Sequence, residues 1–188
     1  YNGNISAVKW NAGLVGSHEQ AYSYTYDPMN RLKGATSKKM FPGGLWLNGS
    51  TDVTVGEYDL NGNIKALERH SLNGLMDNLT YNYDGGGNQL QYVSDAGLTN
   101  EGFKDGNTSG NDYSYDGNGN MTEDKNKDIT AIAYNHLNLP ERVEKADGQY
   151  ITYSYDAAGI KLAQEVHNAD ESLLKRTDYV GAYVYETD

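Results

Sequence analysis

Aromatic and polar residues alternate along this chain in short runs that end in turn-forming residues. The clearest run is Tyr-x-Tyr-Asp, which occurs at 24–27, 81–84, 113–116 and 153–156. Side chains alternate with period two along a strand, so Tyr-x-Tyr places both rings on one face and the small polar residue between them on the other. The Asp that follows can accept hydrogen bonds from backbone amides of a turn. Gly or Asn two or three residues later supplies the positive φ of a four- or five-residue hairpin loop, and an apolar residue then restarts a strand. Each unit reads as one β-hairpin with a tyrosine-bearing face.

A wider pattern, Tyr-Asp-x-x-Gly/Asn-Asn/Arg-apolar, takes in Tyr26 and Asp27, then Tyr58, Asp59, Gly62 and Asn63, and Tyr115, Asp116, Gly119 and Asn120. Tyr83 and Asp84 lead a longer, glycine-rich version, Tyr134 is followed by Asn instead of Asp, and Tyr155, Asp156 and Gly159 lack the Asn. The opening Tyr1-Asn2-Gly3-Asn4-Ile5 reads as the tail of a copy. Spacings between successive repeat tyrosines, from Tyr26 to Tyr155, are 32, 25, 32, 19 and 21 residues. They predict strands near 20–26, 31–37, 53–58, 63–70, 78–83, 88–93, 111–115, 128–134, 149–155, 161–168 and 172–179. Residues of about 38–52 and 95–111 read as inserted loops with room for one helical turn. A hairpin of this size cannot bury a face alone, so neighbours must stack side by side. The expected fold is all-β: one array of antiparallel hairpins over 1–188, a partial repeat at 1–19 and full repeats over about 20–186, joined into a continuous curved sheet.

Composition agrees. Gly (22), Asn (20) and Asp (16) together exclude a chain made mostly of long helices, while 17 tyrosines favour strands. The formal charge of −11 opposes approach to nucleic acid or an anionic membrane. No apolar stretch approaches the ~18 residues of a membrane helix. The absence of cysteine removes disulfides, zinc–thiolate sites and thiol catalysis. Beginning at Tyr1, the chain reads as an excised piece whose export signal would lie outside it.

Candidate chemistry is sparse. Asp27, Asp59, Asp84, Asp116 and Asp156 repeat one position, which points to turn capping in preference to five active sites. Asp116 to Asn120 and Asp105 to Asp116 are candidate calcium loops; the first lacks the Gly and the Glu of an EF-hand, and the second overlaps a strand and turn. His18, His70, His136 and His167 share no metal-binding spacing. No catalytic residue, cofactor site or metal site is assigned, and the chain is expected not to be an enzyme. The tyrosine face supports one alternative, a carbohydrate-binding or adhesion repeat that stacks glycans on its rings.

The Tyr-Asp-x-x-Gly-Asn units resemble the YD repeats of Rhs (rearrangement hotspot) proteins, related to the Tc-toxin C components and teneurins. Tyr134-Asn-His-Leu-Asn-Leu-Pro140 resembles an Rhs variant of the repeat, and Asp178-Tyr-Val-Gly-Ala-Tyr-Val-Tyr185 resembles the segment that closes such arrays. The resemblance implies hairpins that wind into a hollow β-shell around a variable C-terminal toxin domain. On that basis the chain is a length of secreted or cell-surface shell wall whose partners are the rest of its polypeptide and the enclosed effector. The core region and its autocleavage aspartates, which in the family follow the array, have no counterpart in this sequence. Terminal strands near Tyr179–Tyr185 are expected to offer unpaired edges for self-association.

Overall fold

In the computed structural model, residues 3–11, 13, 19–85, 87–98 and 100–187 are described. Tyr1 and Asn2 of the partial repeat, and His18, lie outside them. The chain forms two compact units, Tyr1–Asp105 and Gly106–Asp188. The first holds β1 (Ala7–Trp10), β2 (Gln20–Tyr26), β3 (Leu32–Phe41), β4 (Leu45–Asn48), β5 (Val53–Tyr58), β6 (Ile64–Ser71), β7 (Gly74–Tyr83) and β8 (Leu90–Asp95). The second holds β9 (Tyr113–Tyr115), β10 (Met121–Asp124), a 3₁₀ turn at Lys125–Lys127, β11 (Ile129–Tyr134), β12 (Pro140–Lys145), β13 (Tyr150–Tyr155), β14 (Lys161–His167), β15 (Leu173–Val180) and β16 (Tyr183–Thr187).

The class is all-β and built from antiparallel hairpins. The strands form two sheets of eight, one in each unit, where the sequence reading expected one continuous sheet. In the first the order is β1-β2-β3-β5-β6-β7-β8, with β4 beside β3; the second runs in chain order from β9 to β16. A meander of this kind brings alternate turns to the same edge of each sheet. The Tyr-Asp turns, between β2 and β3, β5 and β6, β7 and β8, β9 and β10, β11 and β12, and β13 and β14, therefore share an edge within their own sheet.

The segment at 38–52 is not a loop. β3 continues to Phe41, turns through Pro42-Gly43-Gly44, and returns as β4, with Met40 opposite Trp46 and Phe41 opposite Leu45. The apolar pair Met40-Phe41 and the triplet Leu45-Trp46-Leu47 across a Pro-Gly-Gly turn make a hairpin, a signal that the Gly, Asn and Ser content around them obscured. Asp52 ends the excursion, its Oδ1 accepting the Ser37 amide at 2.7 Å. No strand occurs among the described residues of 96–112.

Little of either sheet is covered. The buried apolar residues are Ala35, Val55, Leu79, Val93, Tyr113 and Ala163, and the largest fully buried side chains are aspartates, Asp77 and Asp112. Both aspartates pin loops. Asp77 faces Arg69 Nε at 2.6 Å, an ion pair off the hydrogen-bond line, and accepts the Phe103 amide at 2.7 Å. Asp112 accepts the side-chain amides of Asn107 and Asn126 at 2.9 and 2.8 Å. Asn126 Oδ1 in turn holds the amides of Gly106 and Asn107 at 2.9 and 3.0 Å. Buried charge of this kind persists only when hydrogen-bonded or paired.

Candidate functional site

The feature that recurs most in both sheets is the edge that carries the Tyr-Asp turns. At Asp59, the backbone amide donates to the carbonyl of Asn63 at 2.9 Å, and Gly62 N–H returns to the carbonyl of Asp59 at 3.2 Å. Its Oδ1 accepts the amides of Asn61 and Asn63 at 2.9 and 2.8 Å, and Oδ2 accepts Asn63 Nδ2 at 2.8 Å. Asp116 repeats every one of these bonds with Asn118, Gly119 and Asn120. Asp27 does the same with Met29, Asn30 and Arg31, the guanidinium Nε standing in for the Asn amide at 2.7 Å. Asp156 keeps the backbone pattern and the two amide bonds, to Ala158 and Ile160. Asn135 does this through a neutral Oδ1, to Leu137 and Leu139.

Each is a three-residue loop, shorter than the four or five expected: a type I turn whose third residue lies in the left-handed region and forms a bulge. That residue is Asn30, Gly62, Gly119, Asn138 or Gly159, with φ of 63°, 92°, 86°, 58° and 82°. The expected length was off because the residue after the turn still pairs with the Asp. Asp84 leads a loop one residue longer, its amide bonding to Gln89 at 3.0 Å.

Four of the tyrosines that precede these turns reach back to the chain before them. Tyr58 Oη donates to the carbonyl of Leu32 at 2.6 Å, Tyr134 to Met121 at 2.7 Å, Tyr155 to Pro140 at 2.9 Å, and Tyr26 to Ile5 at 2.7 Å. In the first three, the acceptor begins the strand after the preceding turn. Between hairpins the backbone ladder stops before it reaches this edge: β3 and β5 pair only at Gly34–Thr54 and Ala35–Val53, and β10 and β11 only at Asp124–Ile129. Beyond that point the strands splay, and a carbonyl without a ladder partner takes the phenol instead. This bond is a rivet between neighbouring repeats.

Cations cover several of the rings. Arg31 lies over Tyr58 at 4.3 Å, Lys65 over Tyr83 at 5.8 Å, Arg142 over Tyr150 at 3.6 Å, and Lys161 over Tyr153 and Tyr179 at 5.5 and 4.6 Å. Among the described residues, rings stack at Trp10–Tyr22, Tyr22–Tyr24 and Tyr150–His167. Turns also bond to one another: Asn4 reaches Asn30, Asn63 reaches Asn88, and Asn120 reaches Asn138, at 3.0, 2.9 and 3.0 Å.

The electrostatics follow from these donors. At Asp116 the Asn120 side chain does most to hold the carboxyl below its ordinary value, against partial desolvation and aided by the turn amides. At Asp27 and Asp59 desolvation pushes upward, but the hydrogen bonds from Arg31 and from Asn63 outweigh it and the net direction is down. Desolvation raises Tyr58, Tyr83, Tyr134 and Tyr155, keeping these phenols protonated as donors.

For reaction chemistry the edge offers little. The carboxylates of Asp27, Asp59 and Asp116 engage both oxygens within their own turns. The spaces between successive turns are open grooves, one of 430 Å³ beside Asp59, Lys65 and Tyr83 and one of 420 Å³ beside His136, Glu141 and Tyr155. Among the described residues no three His, Asp or Glu side chains converge on a metal-sized site. Asn107, in the second calcium-loop candidate, turns its side chain to Asn111 and Asp112.

No protein-family model matches the chain, and no curated protein does. Solved structures of Tc toxin chains are similar to it. TcdB2-TccC3-TEV aligns over 93% of this chain and 11% of its own, with 12% identity and a TM-score of 0.48. TcdB2-TccC3 without its hypervariable C-terminal region gives 13% identity, the same coverages and a TM-score of 0.48. The Tc holotoxin pore of Photorhabdus luminescens gives 12% identity over 93% of this chain and 10% of that one, with a TM-score of 0.47. The chain spans about a tenth of the length of these structures.

Proposed function

We propose that this chain is a non-enzymatic wall segment of an Rhs-type toxin, part of a β-shell that encloses an effector carried elsewhere on the same polypeptide, acting in secreted or surface-delivered form. The observation that carries the reading is the rivet. In three of the repeats one residue closes its own turn and another, the tyrosine, fastens that hairpin to the one before it. Such bonding extends by repetition, as a wall requires. The repeat sequence, with its likeness to YD repeats, supports the same role. Limited proteolysis of the intact gene product tests it. A protected segment should survive beside the array and become digestible once the array is unfolded by urea. A product with no protease-resistant segment beyond the array would overturn the reading.

A further inference from the structure

Of the four buried side-chain atoms that find no hydrogen-bond partner among the described residues, three belong to the contact between residues 100–105 and β6–β8: Arg69 Nε, Asp77 Oδ2 and Asp105 Oδ1. Keeping such atoms buried and unpaired costs free energy, and admitting water removes that cost. The segment above them is fastened through carboxylates. Asp77, fully buried on β7, accepts the Phe103 amide at 2.7 Å. Glu101 accepts Asn73 Nδ2 from the β6–β7 turn, and Asp105 Oδ2 accepts the Asp95 amide of β8 at 3.4 Å. A Cβ at Gly102 would strike the Asp77 carboxylate, so this backbone lies directly on that side chain.

Anchors of this kind respond to protons. A carboxylate accepts an amide hydrogen more strongly than the neutral acid does. The sheet beneath is joined instead by backbone pairs that do not titrate; β6 and β7 share six, from Ala66–Thr80 to Ser71–Gly74. Glu101 is held below its ordinary value by the Ser71 hydroxyl and the Asn73 amide, against desolvation and aided by Lys104. Its contribution is therefore complete above the ordinary carboxylate range, about pH 4, and is lost as pH falls through the lower folded value. The charged and titratable groups around Asp77 are Arg69 of β6, whose Nε stands 2.6 Å away, Tyr81 of β7 and Asp95 of β8. His70 and Asp52 line a neighbouring groove together with Ser71.

We propose that residues 100–105 form an acid-released strap, which lifts from β7 when its anchoring carboxylates take up protons, while the sheet beneath keeps its strand order. Opening bares Asp77 and gives water to the three unpaired atoms. It also frees about six residues, roughly 20 Å of extended chain, in the connection that leaves β8. Both sheets stay intact in this event, so it is compatible with a wall and is tested apart from enclosure of an effector.

Fluorine NMR of the whole chain tests this. The chain has two phenylalanines, Phe103 in the strap and Phe41 at the end of β3. Labelling with 4-fluorophenylalanine therefore places one reporter on the strap and one control on the sheet. A blocked peptide of residues 98–107 with the same label gives the open frequency. Between pH 7 and pH 3.5 the Phe103 resonance should move to that frequency, while Phe41 keeps its folded frequency and the far-ultraviolet spectrum stays unchanged. Glu101→Gln removes the charge of one anchor, and Asn73→Ala removes the donor that it holds. Each should favour the open form about fivefold, the factor set by one net hydrogen bond, read as release that begins at a higher pH than in wild type. The proposal is overturned if both resonances move together, if Phe103 keeps its pH 7 frequency at pH 3.5, or if both variants superimpose on wild type.

Discussion

Replacing Tyr134 with Phe removes one oxygen and leaves the ring in place. The hydroxyl donates to the Met121 carbonyl at 2.7 Å, across a gap where β10 and β11 share only the Asp124–Ile129 pair. A hydrogen bond of this kind contributes about 1 kcal/mol net, and leaving a half-buried carbonyl without its donor adds to the loss. A unit of this size unfolds in urea with a slope of about 1 kcal/mol per molar, so the midpoint of the transition reporting residues 106–188 should fall by roughly 1 M or more. Tyr153→Phe is the control, since no hydrogen bond to the Tyr153 hydroxyl occurs among the described residues. Urea melts followed by circular dichroism, together with hydrogen exchange at the amides of 121–134, decide the matter. Equal midpoints for Tyr134→Phe and Tyr153→Phe would refute the rivet.

Four further outcomes are expected. Gly119 sits at φ 86°, in the left-handed region, so Gly119→Ala should cost about 1–2 kcal/mol from its backbone conformation, read as a lower urea midpoint. Glu171 holds φ 69° at the turn between β14 and β15, so Glu171→Gly should raise the thermal midpoint by a few degrees. The carboxyls of Asp27, Asp59 and Asp116 are depressed in the folded state, so their stabilisation is complete above the ordinary carboxylate range near pH 4 and is lost as pH falls through their lower folded values; Asp116→Asn should flatten that acid limb in melts from pH 7 to 2. A Cβ at Gly97 would strike the backbone of Met76 and lie 2.7 Å from the Asp77 Cα, so Gly97→Ala should release 96–105 to protease faster than wild type, as mass spectrometry of early cleavage products would record.

The turn edge was legible in the sequence because its chemistry is local. A carboxylate reaching amides two and four residues on, and a glycine or asparagine supplying positive φ, are encoded within seven residues and repeat often enough to be noticed. The strands β5 and β13 follow from the same punctuation. The rivets were not legible. Tyr58 and Leu32 are 26 residues apart, and their bond depends on where two hairpins splay, which no spacing records. The cations over the rings were hidden for a related reason: Lys65 meets Tyr83 only once the register of neighbouring hairpins is set. The β3–β4 hairpin is hidden by composition, because Pro42-Gly43-Gly44 marks a loop unless Met40-Phe41 and Leu45-Trp46-Leu47 on either side are read together. The division into two sheets has no sequence signal that the repeats themselves do not mask. Nothing in the sequence marks Asp77 and Asp112, because their burial depends on loops closing over them.

Electron cryomicroscopy of the intact gene product tests the wall most directly. The account predicts that the strand order continues beyond these hairpins into a closed β-wall, with tyrosine rivets joining successive repeats and polypeptide density enclosed on one side. Sheets that end with their edges in solvent, around no enclosed density, would contradict it.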